Sequence, residues 1–122
     1  MAKAPITDRQ ALGRFLERPV SAVHCEHAMG MTRVVAIEFE NGVQFPVPAG
    51  NALRTAGDII EVRALLAGVS RELAEALKRQ VGDRDPEQSL ADAEWLIMET
   101  LAEPETALAR AAQQFPLARP GR

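Results

Sequence analysis

Aromatic residues are scarce in this chain, which has four Phe, one Trp and no Tyr among its 122 residues. A surface that stacks the bases of single-stranded nucleic acid needs several aromatic side chains together, so the composition disfavours this class of protein. The core must therefore be mostly Val, Leu, Ile, Ala and Met. The hydrophobic fraction of 47% and the charged fraction of 25% are typical of a globular protein, and this length predicts one domain.

Cysteine is almost absent too. Cys25 stands alone, which excludes an internal disulfide and favours a reducing compartment. No apolar run is long enough to cross a bilayer, and the residues after Met1 lack the apolar core of a signal peptide. We expect a cytoplasmic protein without membrane contact. The many Ala and Arg residues suit a bacterial or phage origin.

Signatures of catalysis are missing as well. The chain has no glycine-rich phosphate loop, no Ser/His/Asp arrangement and no paired-carboxylate motif. We therefore predict a protein that is not an enzyme and needs no cofactor. His24-Cys25-Glu26-His27 is the one segment with metal-ligand chemistry, and Cys25 and His27 are its candidate ligands because they share one face of a strand. No further Cys or His exists to complete a zinc site, so the segment favours a small buried cysteine beside partly exposed histidines.

The acidic residues are concentrated in one block. Residues 85–106 contain seven Asp/Glu and no Lys/Arg, whereas residues 1–84 contain eleven Lys/Arg against ten Asp/Glu. The net charge of −3 therefore comes from the block, and the remaining chain is weakly basic. That balance permits nucleic-acid binding without requiring it.

The N-terminal half predicts a helix followed by a small antiparallel sheet. Thr7 and Gln10 form a capping-box pattern before a helix over residues 8–18, which Pro19 ends. Two or three strands are expected within residues 20–48, with a break at Gly30. On the first strand, alternation turns His24 and Glu26 to one side and Cys25 and His27 to the other.

Asn41-Gly42 is the strongest hairpin signal in the chain. A two-residue loop would place the apolar residues of the two strands on opposite faces. A three-residue loop, residues 40–42, turns six of them toward the core in three pairs: Phe39 with Val43, Ile37 with Phe45, and Val35 with Val47. We predict this register, with Gly42 in the left-handed conformation of a bulged turn. Pro46 and Pro48 cannot donate ladder hydrogen bonds, so the second strand should be an edge.

Residues 51–114 predict a helical half of three to five helices. Asp58 is the expected N-cap of a helix over 59–67, after a short helical turn over 51–56, and Ser70 is the expected N-cap of a helix over 71–81. Asp85-Pro86 begins a long helix over 86–103, and Pro104 begins the last helix, which ends near Gln114. The expected inward residues are Ile59, Val62, Leu65 and Leu66, then Leu73, Ala74, Leu77 and Val81, then Leu90, Ala93, Ile97 and Leu101.

Together these elements predict an α+β fold in a single domain, residues 1–122. Its β-containing half is residues 1–48 and its helical half is residues 51–114. Residues 115–122 are predicted to be a flexible tail, because Phe115-Pro116 cannot continue a helix.

The corner between the two middle helices is the most informative segment. Its small and apolar residues lie at the spacings of a helix-turn-helix: Ala64, Gly68, Val69, Ala74 and Leu77. Residues 58–79 therefore resemble the helix-turn-helix of bacterial repressors, although Arg63 stands where that family usually has an apolar residue.

The resemblance implies a dimeric transcription regulator whose second helix enters the major groove of double-stranded DNA. Its implied DNA-binding residues are Ser70, Arg71, Lys78, Arg79 and Arg84. The alternative is an ordinary helical hairpin with a solvated ladder of charges, because Glu72 and Glu75 on the same helix would repel phosphates.

The acidic helix has a wider apolar arc than one packing face needs. Ala91, Trp95, Met98 and Ala102 extend its core stripe around one side. One interpretation is a helix central to a small core, and the other is a homodimer or partner interface anchored by Trp95 and Met98. The second functional hypothesis is therefore a protein–protein interaction module without DNA contact, such as a phage assembly factor, an adaptor or an inhibitor, using this face or the edge strand.

Overall fold

A computed structural model describes residues 5–47 and 53–116, with the side chains of Leu90 and Ala93 outside that description. The chain divides into two compact units, Met1–Arg54 and Thr55–Arg122. A helix and an antiparallel sheet belong to the first unit, and the remaining helices belong to the second. The predicted α+β class is confirmed.

The elements follow one another in this order: α1 Arg9–Leu16, β1 Val20–Ala28, β2 Met31–Phe39, β3 Gln44–Pro46, α2 Ala56–Leu66, α3 Arg71–Val81, α4 Pro86–Ala102, a 3-10 turn Pro104–Thr106, and α5 Ala107–Gln114.

Helix α1 begins at a different cap from the one predicted. The Asp8 carboxylate, not Thr7, accepts a hydrogen bond from the Gln10 amide at 3.0 Å. The helix also ends two residues earlier than expected, because Glu17 adopts a left-handed φ of 55° and its amide bonds back to the last turn. Leu12, Phe15 and Leu16 are buried.

The sheet has the order β1-β2-β3, and both pairs are antiparallel. Gly30 is not simply a break between strands. Ala28 pairs with Met31 across a two-residue turn in which Met29 and Gly30 have φ of 53° and 74°. Two left-handed residues are what a type I′ hairpin turn requires.

The register of the second hairpin is confirmed. Ile37 pairs with Phe45, the Phe39 amide donates to the Val43 carbonyl at 3.0 Å, and Gly42 has a φ of 84°. β3 lies at the edge of the sheet, as the prolines predicted, although Pro48 is outside the described residues.

Three of the six paired side chains are less buried than predicted: Val43 is exposed, and Val35 and Phe45 are half-buried. Val43 is 56% exposed, because it sits in the turn rather than in the strand. On β2, Val34 is buried and Val35 only half-buried. The register shift between His24 and Cys25 leaves Val35 as an extra residue, and such a β-bulge reverses the alternation of the strand beyond it.

Helix α2 starts three residues earlier than predicted. Thr55 is the N-cap, and Asp58 occupies the third helical position of a capping box, in which its carboxylate accepts from the Thr55 amide at 3.1 Å. Residues 53–55 do not form the expected helical turn, and residues 51 and 52 lie outside the description. Ile59 and Val62 are buried as predicted, whereas Leu65 and Leu66 are half-buried.

Helices α3 and α4 begin where the sequence indicates. Ser70 caps α3, and Asp85 caps α4 with Pro86 in its first turn. In the helical unit the buried cluster combines residues of α2, α3, α4 and α5: Ala56, Ile60, Ala64, Ala74, Leu77, Val81, Leu96, Ile97, Ala111 and Phe115.

Phe115 is part of this core rather than of a flexible tail. Its side chain is 2% exposed, and its carbonyl oxygen accepts from Gln80 Nε2 at 2.6 Å. Burial of the apolar ring stabilises the chain by more than the conformational freedom that a frayed end would keep. The sequence did not indicate this, because Pro116 predicts the end of the helix. The rest of the predicted tail, residues 117–122, lies outside the described residues.

Candidate protein-interaction surface

The buried face of α4 is formed by a different set of residues from the predicted stripe. Leu96, Ile97 and Thr100 are buried, and the Thr100 hydroxyl donates to the Leu96 carbonyl at 2.7 Å. The expected burial of Ile97 is confirmed, but Leu101 is 50% exposed. The helix is therefore rotated toward Leu96 and Thr100. Leu90 and Ala93, the other predicted core residues, lie outside the described side chains.

The opposite side of α4 carries exposed apolar residues, which we call the α4 stripe: Ala91, Trp95, Met98 and Ala102. Trp95 is 55% exposed and Met98 64% exposed. Because each helical residue turns by about 100°, the four side chains fall within one narrow arc opposite Leu96 and Thr100. An entirely core-facing helix, the alternative interpretation, does not describe α4.

Carboxylates line both sides of the α4 stripe. Helical geometry places Glu87 and Glu94 along one side, and Asp92 and Glu99 along the other. Glu103 caps the C-terminus of the helix. No Lys or Arg occurs on α4 itself, so the borders of the stripe are negative.

Two arginines from other helices reach these carboxylates. Arg63 of α2 lies 3.8 Å from Glu94, and Arg110 of α5 lies 2.9 Å from Glu99 and 3.2 Å from Glu103. Among the residues that the structure describes, two guanidinium groups face the five carboxylates of residues 87–103, so this part of the surface keeps a net negative charge.

Leu101 extends the exposed apolar surface beyond the α4 stripe. It lines a groove of about 400 Å³ with Val69, Leu73 and Pro104. Leu108 of α5, 46% exposed, lines a neighbouring cleft that shares Leu73 and Pro104. The helix corner at residues 67–70 therefore borders an apolar groove, and the cleft next to it is also lined by Arg79, Glu72 and Glu75.

The predicted DNA-binding residues do not form one basic surface. Arg71 and Arg79 are exposed on α3, whereas the Ser70 hydroxyl accepts from the Leu73 amide at 3.3 Å. Lys78 points its amine at two carboxylates of α2, with Asp58 at 3.4 Å and Glu61 at 3.7 Å. The helix-turn-helix interpretation stays a prediction. Arg71 and Arg79 are the implied DNA contacts that would support it, because their side chains are exposed.

Arg84 connects the loop after α3 to the end of the described chain. Its guanidinium donates to the carbonyl oxygens of Val81 and Pro116, both at 2.6 Å, and lies 5.4 Å from the centre of the Phe115 ring. These are contacts within the helical unit, so Arg84 stabilises the fold.

A buried acidic pair on α2 was not found from the sequence. Glu61 is 2% exposed and Asp58 8% exposed, one helical turn apart. Burial raises the pKa of Glu61, although the Lys78 amine partly offsets this. Two carboxylates on a helix whose only other charged residue is Arg63 were the available signal. The missing information was the position of Lys78, which comes from α3.

The His24–His27 segment forms cross-strand contacts. His24 Nε2 lies 3.1 Å from Glu38 Oε1, and His27 Nδ1 lies 3.0 Å from Thr32 Oγ1. Cys25 is half-buried. Within residues 5–47 and 53–116, no three His, Cys, Asp or Glu side chains are placed to hold a metal ion. The candidate ligands Cys25 and His27 therefore gain no support.

An arginine-lined cleft of about 660 Å³ lies beside α1 in the N-terminal unit. Its charged lining residues are Arg9, Arg14, Glu17, Arg18 and Glu40. Arg18 is stacked 4.6 Å from the centre of the Phe39 ring. The two carboxylates offset much of the positive charge, so the cleft does not form a strong anion site.

None of the helices in the described part of the chain combines the length and the apolar character that a bilayer span requires. Comparisons with family models, with curated proteins and with solved structures find no match to this chain.

Proposed function

We propose that this protein is a non-enzymatic protein–protein interaction module, and that it docks a helical partner on the α4 stripe. The observation that carries the proposal is the exposure of Trp95 and Met98 on the side of α4 opposite its buried face. Trp and Met are residue types that interfaces favour. Helix α4 already buries one face in the core, so packing within the chain does not account for the neighbouring apolar residues on its other side.

The spacing of the α4 stripe supports a helix as the partner. Ala91, Trp95, Met98 and Ala102 follow one another at intervals of four, three and four residues. This is the spacing of a coiled-coil seam, where large side chains insert between those of a facing helix. Alanine at both ends allows the close approach of a partner, and Trp95 and Met98 supply the anchors.

Selection from a random peptide library tests the proposal for a partner of any sequence. Helical peptides displayed on phage would be selected on the wild-type protein and counter-selected on the double variant Trp95→Glu/Met98→Glu. We expect the retained peptides to share an apolar heptad pattern. Peptides that bind both proteins equally, or the absence of enriched helices, would contradict the proposal. Circular dichroism shows whether the double variant is folded.

Transcription regulation through a helix-turn-helix is less well supported. Of its five implied contacts, Lys78 and Arg84 are engaged inside the helical unit, and Ser70 is used as a cap. An adaptor, inhibitor or assembly factor in the cytoplasm agrees better with an acidic and apolar surface.

A further inference from the structure

We infer that the partner of the α4 stripe is a basic amphipathic helix, whose Lys or Arg residues border its own apolar seam. This inference rests on the proposed function and adds the charge of the partner to it. It is drawn from the carboxylates beside the stripe and from the size of the stripe.

Both borders of the α4 stripe are acidic. A helix lying along the α4 stripe places the residues that border its seam opposite Glu87 and Glu94 on one side and Asp92 and Glu99 on the other. Lysine or arginine at these positions would form interhelical ion pairs, as charged residues beside a coiled-coil seam do. Acidic residues there would be repelled.

A second copy of this chain is disfavoured by the same charges. Two α4 helices packed through their stripes would bring acidic borders against acidic borders in either the parallel or the antiparallel orientation. Arg63 and Arg110 are already within 4 Å of carboxylates of their own chain. An anionic membrane is disfavoured for the same reason.

The size of the α4 stripe also disfavours a permanent dimer of two copies. From Ala91 to Ala102 the helix advances about 16 Å, or three turns. A stable dimer usually buries about 800 Å² on each partner, which is far more than one side of three helical turns presents. A short helix that gains affinity from charge pairs fits this surface better than a permanent dimer.

Two designed peptides test the inference. Both are about 18 residues long, have Leu and Ile at the seam positions and contain no aromatic residue. One has Lys and Arg at the bordering positions and the other has Glu. Trp95 is the only tryptophan of the protein, so its emission reports binding directly.

We expect the basic peptide to shift the Trp95 emission to shorter wavelength and to bind at least about tenfold more tightly than the acidic peptide at low salt. The difference should shrink as salt screens the charges. The double variant Glu87→Gln/Asp92→Asn should reduce the preference. The matched variant Glu72→Gln/Asp83→Asn, which makes the same change of charge outside α4, should keep it.

The contrary outcomes separate the inference from the proposed function. If both peptides bind equally, and Trp95→Ala weakens both in an assay with labelled peptide, the basic partner is ruled out while docking on the stripe stands. If the protein self-associates through Trp95 at micromolar concentration, the partner is a second copy. If neither peptide binds and library selection also yields none, both proposals fail.

Discussion

The amide of Gly57 in α2 donates a 2.9 Å hydrogen bond to the carbonyl oxygen of Gly82, just after α3. A Cβ atom at position 57 would lie 2.6 Å from that oxygen and 2.6 Å from the Lys78 carbonyl oxygen. Both are backbone atoms, which cannot move aside as the end of a flexible side chain can. The close approach of α2 to the end of α3 therefore depends on glycine.

Gly57→Ala is expected to destabilise the helical unit by at least about 2 kcal/mol, because the added methyl group forces the two backbones apart. Urea unfolding followed by far-UV circular dichroism measures the effect. In an ordinary helix the same exchange stabilises by about 0.5–1 kcal/mol. Ala109→Gly, at an exposed position of α5, is the matched control and should cost about 1 kcal/mol. A neutral or stabilising Gly57→Ala would show that the contact is not tight.

Trp95 and Leu96 are neighbours in the chain with opposite environments. Leu96→Ala should cost about 3 kcal/mol, because it leaves a cavity in the core of the helical unit. Trp95→Ala should cost less than about 1 kcal/mol, since half of that side chain already contacts water. Denaturant unfolding by circular dichroism compares the two variants. Equal losses would mean that Trp95 stabilises the fold and would weaken the case for a docking surface.

The buried carboxyl of Glu61 predicts a pH-dependent effect of Glu61→Gln. A group whose pKa is raised in the folded state stabilises most when it is protonated, below its unfolded pKa of about 4.3. That contribution is lost as the pH rises through the folded pKa. The stability of Glu61→Gln relative to wild type should therefore increase as the pH rises from about 4 to 7. Unfolding free energies of both proteins across this range provide the measurement.

Lys78→Met is the companion variant for Glu61. Removing the amine leaves Asp58 and Glu61 without its charge, so the loss of stability should be greater at neutral pH than in acid. A constant loss at all pH values would indicate that the charge of Lys78 does not stabilise the fold through these carboxylates. A Glu61→Gln variant that weakens relative to wild type as pH rises would indicate that attraction to Lys78 outweighs the cost of burial.

Duplex DNA binding separates the two functional hypotheses. If the proposed function is correct, mixed-sequence duplex DNA at low salt should have the same affinity for the wild-type protein as for the double variant Arg71→Ala/Arg79→Ala. These two residues are exposed on α3, so the variant should fold normally. Fluorescence anisotropy of labelled DNA measures the affinity. Binding that is lost in the variant and falls steeply with salt would instead support the helix-turn-helix interpretation.

The helix caps at Ser70 and Asp85 and the register of the second hairpin could be predicted from the sequence. Ser70 and Asp85 cap helices through bonds to amides two or three residues away, and the Ile37–Phe45 register follows from the turn and the apolar pattern. These features depend on neighbours within a few residues.

Features that depend on contacts between distant segments of the chain were harder to predict from the sequence. Apolar spacing selected Trp95 and Met98 as interface candidates but left a core-facing helix open. It also did not show that Leu96 rather than Leu101 faces the core. The sequence indicated Lys78 as a phosphate contact. Its partners, Asp58 and Glu61, belong to another helix, so the sequence did not show that they pair with it. The bulge at Val35 likewise depends on the register with β1.

The edge strand β3 is poorly suited to pairing with a foreign strand. The Val47 amide bonds inward to the Val35 carbonyl at 3.0 Å, so alternation turns position 46 outward. That position is proline, which has no N–H to offer. A chain approaching this side of a three-residue strand meets an interrupted row of donors, and such interruptions suppress the edge-to-edge growth that leads to amyloid.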